Sequence, residues 1–253
     1  MELPALLSTG QLEQSTVVAN NRMNRERALW GVNSYQQELG HARSAQSIDI
    51  LEFLTERARK HDTVRWMDLC CGTGNALIQA AGALHENGIS KAMRLEGVDL
   101  VGMFSTVPKS AKDFLHLQAG SVYDWVPNQP YDLITCIHGI HYLGDKLALL
   151  QKALGWLKPD GQLIANLDPD NLMDAGGNSL SKWWKAECRR NGWKYHARRH
   201  LLRVAGPQVW PVTWKFLGAD DRAGRNYSGQ PAVGSYYLVG EKFAPKLGKC
   251  LNR

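Results

Sequence analysis

Two glycines one residue apart, Gly72 and Gly74, stand between a short apolar run and a helical pattern, and this placement constrains the chain more than any other feature. Val64 to Leu69 is β-compatible, and Ala76 to Leu84 repeats apolar residues at helical spacing. Trp66-Met67-Asp68-Leu69-Cys70-Cys71-Gly72-Thr73-Gly74-Asn75-Ala76-Leu77 therefore reads as strand, tight turn and helix. Glycine at 72 and 74 lets the backbone take unusual φ/ψ angles and come within contact distance of a ligand, which a Cβ would prevent. The helix starting at about Asn75 points its free N–H groups at the same place.

The acid at Asp68 separates the ligands such a turn can take. It ends the strand four residues before Gly72, where a carboxylate faces an electropositive or hydrogen-bond-donating group and repels a pyrophosphate. A dinucleotide turn usually carries Gly-x-Gly-x-x-Gly, and the third glycine position here is Leu77, which argues against NAD or FAD. Asp68-Leu69-Cys70-Cys71-Gly72-Thr73-Gly74 resembles the first motif of the class I, Rossmann-like, S-adenosylmethionine (SAM) methyltransferases. The resemblance implies an α/β fold with a doubly wound, seven-stranded, mostly parallel sheet. It also implies SAM as cofactor, held by Asp68, Cys70, Gly72 and Gly74.

Further βα units follow in order. Arg94 to Leu100 is a short apolar strand ending in Asp99. An acid at the end of the second strand accepts hydrogen bonds from ribose hydroxyls in a doubly wound sheet, so Asp99 and Leu100 are cofactor candidates, although Asp99 alone is also a common helix cap. His116 to Trp125 resembles the third strand and adenine loop of the family, which often has an acid directly after the glycine. This chain has Ser121, and the resemblance carries Ser121 and Val122 over as adenine neighbours. Tyr131 to Leu143 resembles the fourth strand, beside which the transferred methyl sits, with Ile137 at the cofactor. No Asp/Asn-Pro-Pro-Tyr/Phe run of a DNA amino methyltransferase is present, and Cys136 lacks the activator a cytosine C5 enzyme needs. Ile140-His141-Tyr142-Leu143-Gly144-Asp145 resembles a stretch common in small-molecule methyltransferases. It makes His141 a candidate proton acceptor and His138 a candidate substrate contact. Both histidines also suit plain hydrogen-bonded positions at a strand end. Two histidines without further ligands nearby argue against a metal site.

Leu147 to Leu157 is patterned as a helix, Lys158-Pro159-Asp160-Gly161 as a turn, and Gln162 to Asp168 as the fifth strand. Beyond it, three β-like segments (Arg199 to Val204, Val212 to Gly218 and Ser235 to Val239) compete for two strand positions. Tyr236-Tyr237-Leu238-Val239 is expected as the last, antiparallel strand. The polar, glycine-rich loop 219–234 is too long to be idle, and Asp220, Asp221, Arg222, Asn226 and Tyr227 are its substrate candidates. Residues 1–60 are expected as an N-terminal helical lid over a catalytic domain spanning 61–253, with Tyr35 closing on the cofactor and Asn33 on the substrate.

A chain of 253 residues suits one α/β domain with decorations. No window approaches a membrane span, no secretion signal is visible, and five scattered cysteines suit a reducing compartment. The cytoplasm is therefore expected, with the chain a monomer or homodimer. A net charge of +6 gathers partly between Lys182 and Arg203 among Trp183, Trp184, Trp193 and Tyr195, either an RNA-binding surface or a solvated helix whose tryptophans are core. The leading expectation is methyl transfer to an O or N nucleophile of a small molecule. The alternatives are an RNA or protein methyltransferase and a non-catalytic SAM-fold binding module.

Overall fold

The computed structural model describes residues 4–15, 31–39, 48–211 and 213–240. Its strands are β1 (Val64–Leu69), β2 (Met93–Asp99), β3 (Leu115–Ala119), β4 (Tyr131–Cys136), β5 (Leu157–Asn166), β6 (Leu172–Asp174), β7 (Lys194–His196), β8 (Leu201–Ala205), β9 (Trp214–Asp220) and β10 (Gly234–Val239). Seven of them form one sheet in the order β3-β2-β1-β4-β5-β8-β7. The first five run parallel and β8 runs antiparallel to its neighbours β5 and β7. The expected mostly parallel seven-stranded sheet is thus present. The carboxyl ends of β1 to β5 share one edge, the position at which α/β sheets bind ligands.

Strand alternation sorts the core into two faces. Val64, Trp66 and Leu133 face a cluster with α1 (Val32–Leu39), α2 (Ile50–Ala58) and α3 (Asn75–Glu86). Met67, Leu69, Ile134 and Cys136 face the other cluster, which includes α4 (Lys146–Gly155) and α5 (Ser181–Arg190). Asp49 caps α2 by accepting from the Glu52 amide at 3.0 Å, and Asp145 caps α4 by accepting from Ala148 at 3.1 Å. The helix expected over Ser47 to Lys60 is therefore α2, and Ile50 and Leu54 bury it against the sheet layer. The Thr16 to Arg27 part of the expected lid lies outside the described residues. Cys70, Cys71, Cys136 and Cys188 are free thiols, and Cys250 lies outside the described residues.

Two expectations need correction. Tyr236 to Val239 is not the last strand of the main sheet. β10 pairs with β6 and β9 in a separate three-stranded sheet, and β8 takes the antiparallel position, joined to the three-residue β7 by a tight turn. The second sheet is fastened to the start of α4 by Lys146, whose buried ammonium donates to Val233 O at 2.8 Å, Ser235 Oγ at 2.7 Å and Leu143 O at 2.8 Å. The expected turn Lys158-Pro159-Asp160-Gly161 is instead a bulge inside β5. Leu157 pairs with Tyr131 and Gln162 with Leu133, so four residues face Asp132 alone. A Cβ at Gly161 would lie 2.5 Å from Tyr131 O, so glycine is required there.

The N-terminal segment extends the second sheet. Leu7 and Ala219 exchange two backbone hydrogen bonds of 2.8 Å, and residues 9–15 then form a helix whose Leu12 is buried with Ala219 and Val233.

Candidate cofactor and active site

At the end of β1 the backbone passes through φ 57° at Cys70, 59° at Gly72 and 76° at Gly74, the left-handed region that favours glycine. A Cβ on Gly74 would come within 2.6 Å of Leu117 Cδ1, so the turn is closely packed from below. The Gly72 amide donates to Asp99 Oδ2 at 2.9 Å and the Val101 amide to Asp99 Oδ1 at 3.1 Å. Two backbone donors thereby hold the Asp99 carboxylate between the glycine turn and the end of β2, with half-buried Leu100 following it. The amino end of α3 opens on the same spot.

Asp68 sits differently from the expectation that it faces a ligand. It pairs in register with Thr135, and both lie on the sheet face covered by α1. Its Oδ1 accepts from Thr135 Oγ1 at 2.5 Å and its Oδ2 from Tyr35 OH at 2.8 Å, while Trp66 Nε1 donates to Thr135 Oγ1 at 2.8 Å. Burial pushes the Asp68 carboxyl up to about 7, against the two hydroxyl donors that favour its charged form. Tyr35 is thus a tie between α1 and β1. Asn33 is exposed and lines a surface depression with Asp49, Glu52 and Asn87, beyond the end of α3 remote from the glycine turn. It does not join the strand-end site expected for it.

Beyond β3, Val122 is buried and Ser121 Oγ donates to Glu13 Oε1 at 2.7 Å. Beyond β4, Ile137 packs into the α1–α3 face, and His138 takes φ 59° while its amide donates to Asn166 Oδ1 at 3.2 Å. A second histidine with positive φ, His200 at 48°, lies in the β7–β8 turn. Non-glycine residues held in this region concentrate at functional sites.

Around Tyr227 the strand ends converge. His200 stacks on its ring at 4.2 Å, His141 meets it edge-on at 5.4 Å, and His138 lies 6.4 Å away. The Tyr227 amide donates to Asp168 Oδ2 at 3.0 Å, which fixes the loop to the end of β5. His200 Nδ1 lies 3.5 Å from Asp168 Oδ1 and 3.3 Å from Tyr195 OH, itself a donor to Leu167 O at 2.9 Å. A proton on Nδ1 shared by those oxygens leaves Nε2 as the basic nitrogen. His141 is fully enclosed, whereas the His200 side chain keeps 20% of its surface accessible.

Of the loop candidates, only Tyr227 has a ring contact with this cluster among the described residues. Asn226 Oδ1 is instead the hub of its own loop, accepting from the Ser228 amide, Ser228 Oγ and the Gln230 amide. Asp220 accepts from the Arg222 amide, and Asp221 approaches the Arg222 guanidinium at 3.9 Å on the surface. The contacts recorded for Asp220, Asp221, Arg222 and the Asn226 side chain thus lie within the loop itself. Asp168, Tyr195, His200 and Glu13 were missed by reading the sequence. In the sequence Asp168 closes the fifth strand and His200 lies within the 182–203 stretch, and nothing in the spacing links them.

A model of the family described as "Methyltransferase domain" matches residues 39–206, more than half of the chain. No curated protein sequence matches. Among solved structures, a phosphoethanolamine N-methyltransferase of Haemonchus contortus, in complex with phosphoethanolamine and S-adenosylhomocysteine, is 12% identical with a TM-score of 0.45. It matches over 80% of this chain and 51% of its own. A (4+2)-cyclase, SpnF, is 13% identical with a TM-score of 0.41, over 87% and 77%. Coclaurine N-methyltransferase bound to N-methylheliamine and S-adenosylhomocysteine is 21% identical with a TM-score of 0.32, over 49% and 37%. The match thus spans about half or less of the two methyltransferase structures, and at these scores the likenesses carry no weight beside the family match.

Proposed function

The chain belongs to the methyltransferase-domain family, and from that premise we propose that it transfers the methyl group of SAM to an oxygen or nitrogen nucleophile of a small molecule. Bound SAM supplies a methyl group on a positively charged sulfur. The chain's own residues fit that donor: Asp99 is set to accept from ribose hydroxyls, and Gly72 and Gly74 let the backbone approach closely. Tyr35 ties α1 to the end of β1 through Asp68, directly before the glycine turn.

The observation that carries the acceptor side is the convergence of His138, His141 and His200 on Tyr227 at the strand-end edge. We assign proton acceptance to His200, because Asp168 and Tyr195 hold its Nδ1 and leave Nε2 as the acceptor nitrogen beside the Tyr227 ring. The enclosed His141, the candidate of the sequence, then lines the pocket and orients Tyr227. Aligning the two reactants and removing one proton is what such a transfer asks of a protein. The RNA reading is weakened on its aromatic side, because Trp184 and Trp193 are core and Trp183 and Tyr195 are half-buried against it.

The test is calorimetry with S-adenosylhomocysteine, followed by transfer of isotope-labelled methyl from SAM to metabolite, peptide and RNA pools. Micromolar-range binding and label in the metabolite pool are expected. Asp99→Ala should weaken binding by roughly 1–3 kcal/mol, as for hydrogen bonds to a charged group. Binding of NADH without binding of S-adenosylhomocysteine would end this reading, and label only in RNA or peptide would overturn the small-molecule assignment.

A further inference from the structure

On the proposed cofactor reading, the sheet order β3-β2-β1-β4 gives a bound nucleoside a direction. Its ribose hydroxyls belong at Asp99, beyond β2, while the glycine turn lies beyond β1. The base then points away from that turn, toward edge strand β3 and the residues after it. There the backbone borders open space. Nothing lies within 4 Å of where a Cβ on Gly120 would stand, and Val122 gives a buried apolar floor. The Gly120 amide donates to Asp99 O at 2.9 Å, which joins this loop to the ribose position.

An acid reaches this loop from far along the chain. Glu13 Oε1 accepts the Ser121 hydroxyl proton at 2.7 Å, across 108 residues of sequence. It is held there by its own segment: Leu7 is bridged to Ala219, Leu12 is buried beside Ala219 and Val233, and Thr9 packs against Gly144. The Ser121 oxygen also accepts from the Tyr123 amide at 3.2 Å, so its proton is directed at Glu13. A carboxylate offers about four lone-pair positions, and one hydroxyl uses one of them.

We propose that Glu13 reads the cofactor's base, accepting an N–H of the exocyclic amino group of adenine, with Ser121 positioning the carboxylate. An acceptor-only group at this place discriminates sharply. A purine with a carbonyl where adenine has its amino group sets oxygen against oxygen, and sites built for one hydrogen-bonding pattern reject the other. The N-terminal segment is then part of the cofactor site, which completes only once the second sheet has captured residues 7–12.

The inference rests on SAM being the cofactor, and calorimetry on the full chain separates the two claims. S-adenosylhomocysteine and S-inosylhomocysteine, which differ at C6 (amino against carbonyl) and in the proton that hypoxanthine carries on N1, are titrated into wild type, Glu13→Gln and Ser121→Ala. Wild type is expected to favour the adenosyl compound by about tenfold or more. Glu13→Gln, whose amide both donates and accepts, should reduce that preference to within about threefold, and Ser121→Ala should narrow it part of the way. Wild type binding neither compound defeats the cofactor reading. Wild type binding both equally, or Glu13→Gln keeping the full preference, overturns the role of Glu13 while leaving the cofactor in place. If Glu13→Gln does not fold, an unchanged preference in Ser121→Ala counts against the proposal.

Discussion

Asp68 and Lys146 are fully buried charges whose environments move them toward the same pH from opposite sides. Burial raises the Asp68 carboxyl from 3.8 to about 7, so between those values the folded chain holds a proton that the unfolded chain has released, and stability falls as pH rises. Burial lowers the Lys146 ammonium from 10.5 to about 7, with Asp145 and Asp168 opposing it. Between pH 7 and 10.5 the unfolded chain holds the extra proton, and stability rises with pH. The contribution of these two groups together is expected to be lowest near pH 7. At about 1.4 kcal/mol per pH unit, each limb amounts to a few kcal/mol at most. Urea melts from pH 5 to 9 should show it, with Asp68→Asn losing the falling limb and Lys146→Met the rising one. An unchanged slope between pH 5 and 7 in Asp68→Asn would show that the carboxyl does not titrate there.

At the scale of elements, the proposed acceptor pocket depends on the β7–β8 turn and the loop between β9 and β10, which meet where His200 stacks on Tyr227. Neither is part of the parallel strand–helix core. The loop reaches the strand-end edge because Asp168 holds the Tyr227 amide and His141 O accepts from the Val233 amide at 2.9 Å. Changes here should touch the acceptor and spare the donor. On an identified acceptor, His200→Gln should lower turnover by about 100-fold or more, the usual size of a general-base effect. Affinity for S-adenosylhomocysteine should stay within about twofold. Asp221→Asn, at a surface position apart from the cluster, should leave turnover unchanged. The reverse outcome would place the pocket at the exposed end of the hairpin.

At the scale of the whole molecule, the net charge of +6 needs an explanation or a partner. Lys182, Lys185, Arg189, Arg190, Lys194 and Arg198 are exposed, while the aromatic residues among them turn inward. Trp184, Trp193, Trp210 and Trp214 form a chain of ring contacts beneath α5, and buried Glu187 accepts from Trp210 Nε1 at 3.0 Å. With Trp184 and Trp193 buried and Trp183 and Tyr195 half-buried, this surface offers nucleic acid mainly charge. RNA binding should therefore be weak, and the joint replacement of Arg189, Arg190, Arg198 and Arg199 by Gln should not change it. Tight binding with a steep salt slope, lost in that variant, would restore the RNA reading. Among the described residues no helix is long and apolar enough to cross a membrane.

The sequence by itself determined what local patterning can specify. The strand, glycine turn and helix around Gly72 and Gly74, the acids ending β1 and β2, and the order of the parallel units follow from apolar period and turn chemistry over a few residues. Even the family could be recognised from Asp68 to Gly74. Tertiary structure alone decided which late segments share a sheet, because Arg199–Val204 and Ser235–Val239 carry equally good strand patterns. Their partners were chosen by the β7 hairpin on one side and the Lys146 anchor on the other. It also turned Asp68 inward onto Tyr35 and Thr135, and brought Glu13 to Ser121 and Asp168 to His200 and Tyr227. Those pairs are 33, 67, 108, 32 and 59 residues apart in the chain. No period reaches that far; only the packing of one element on another does.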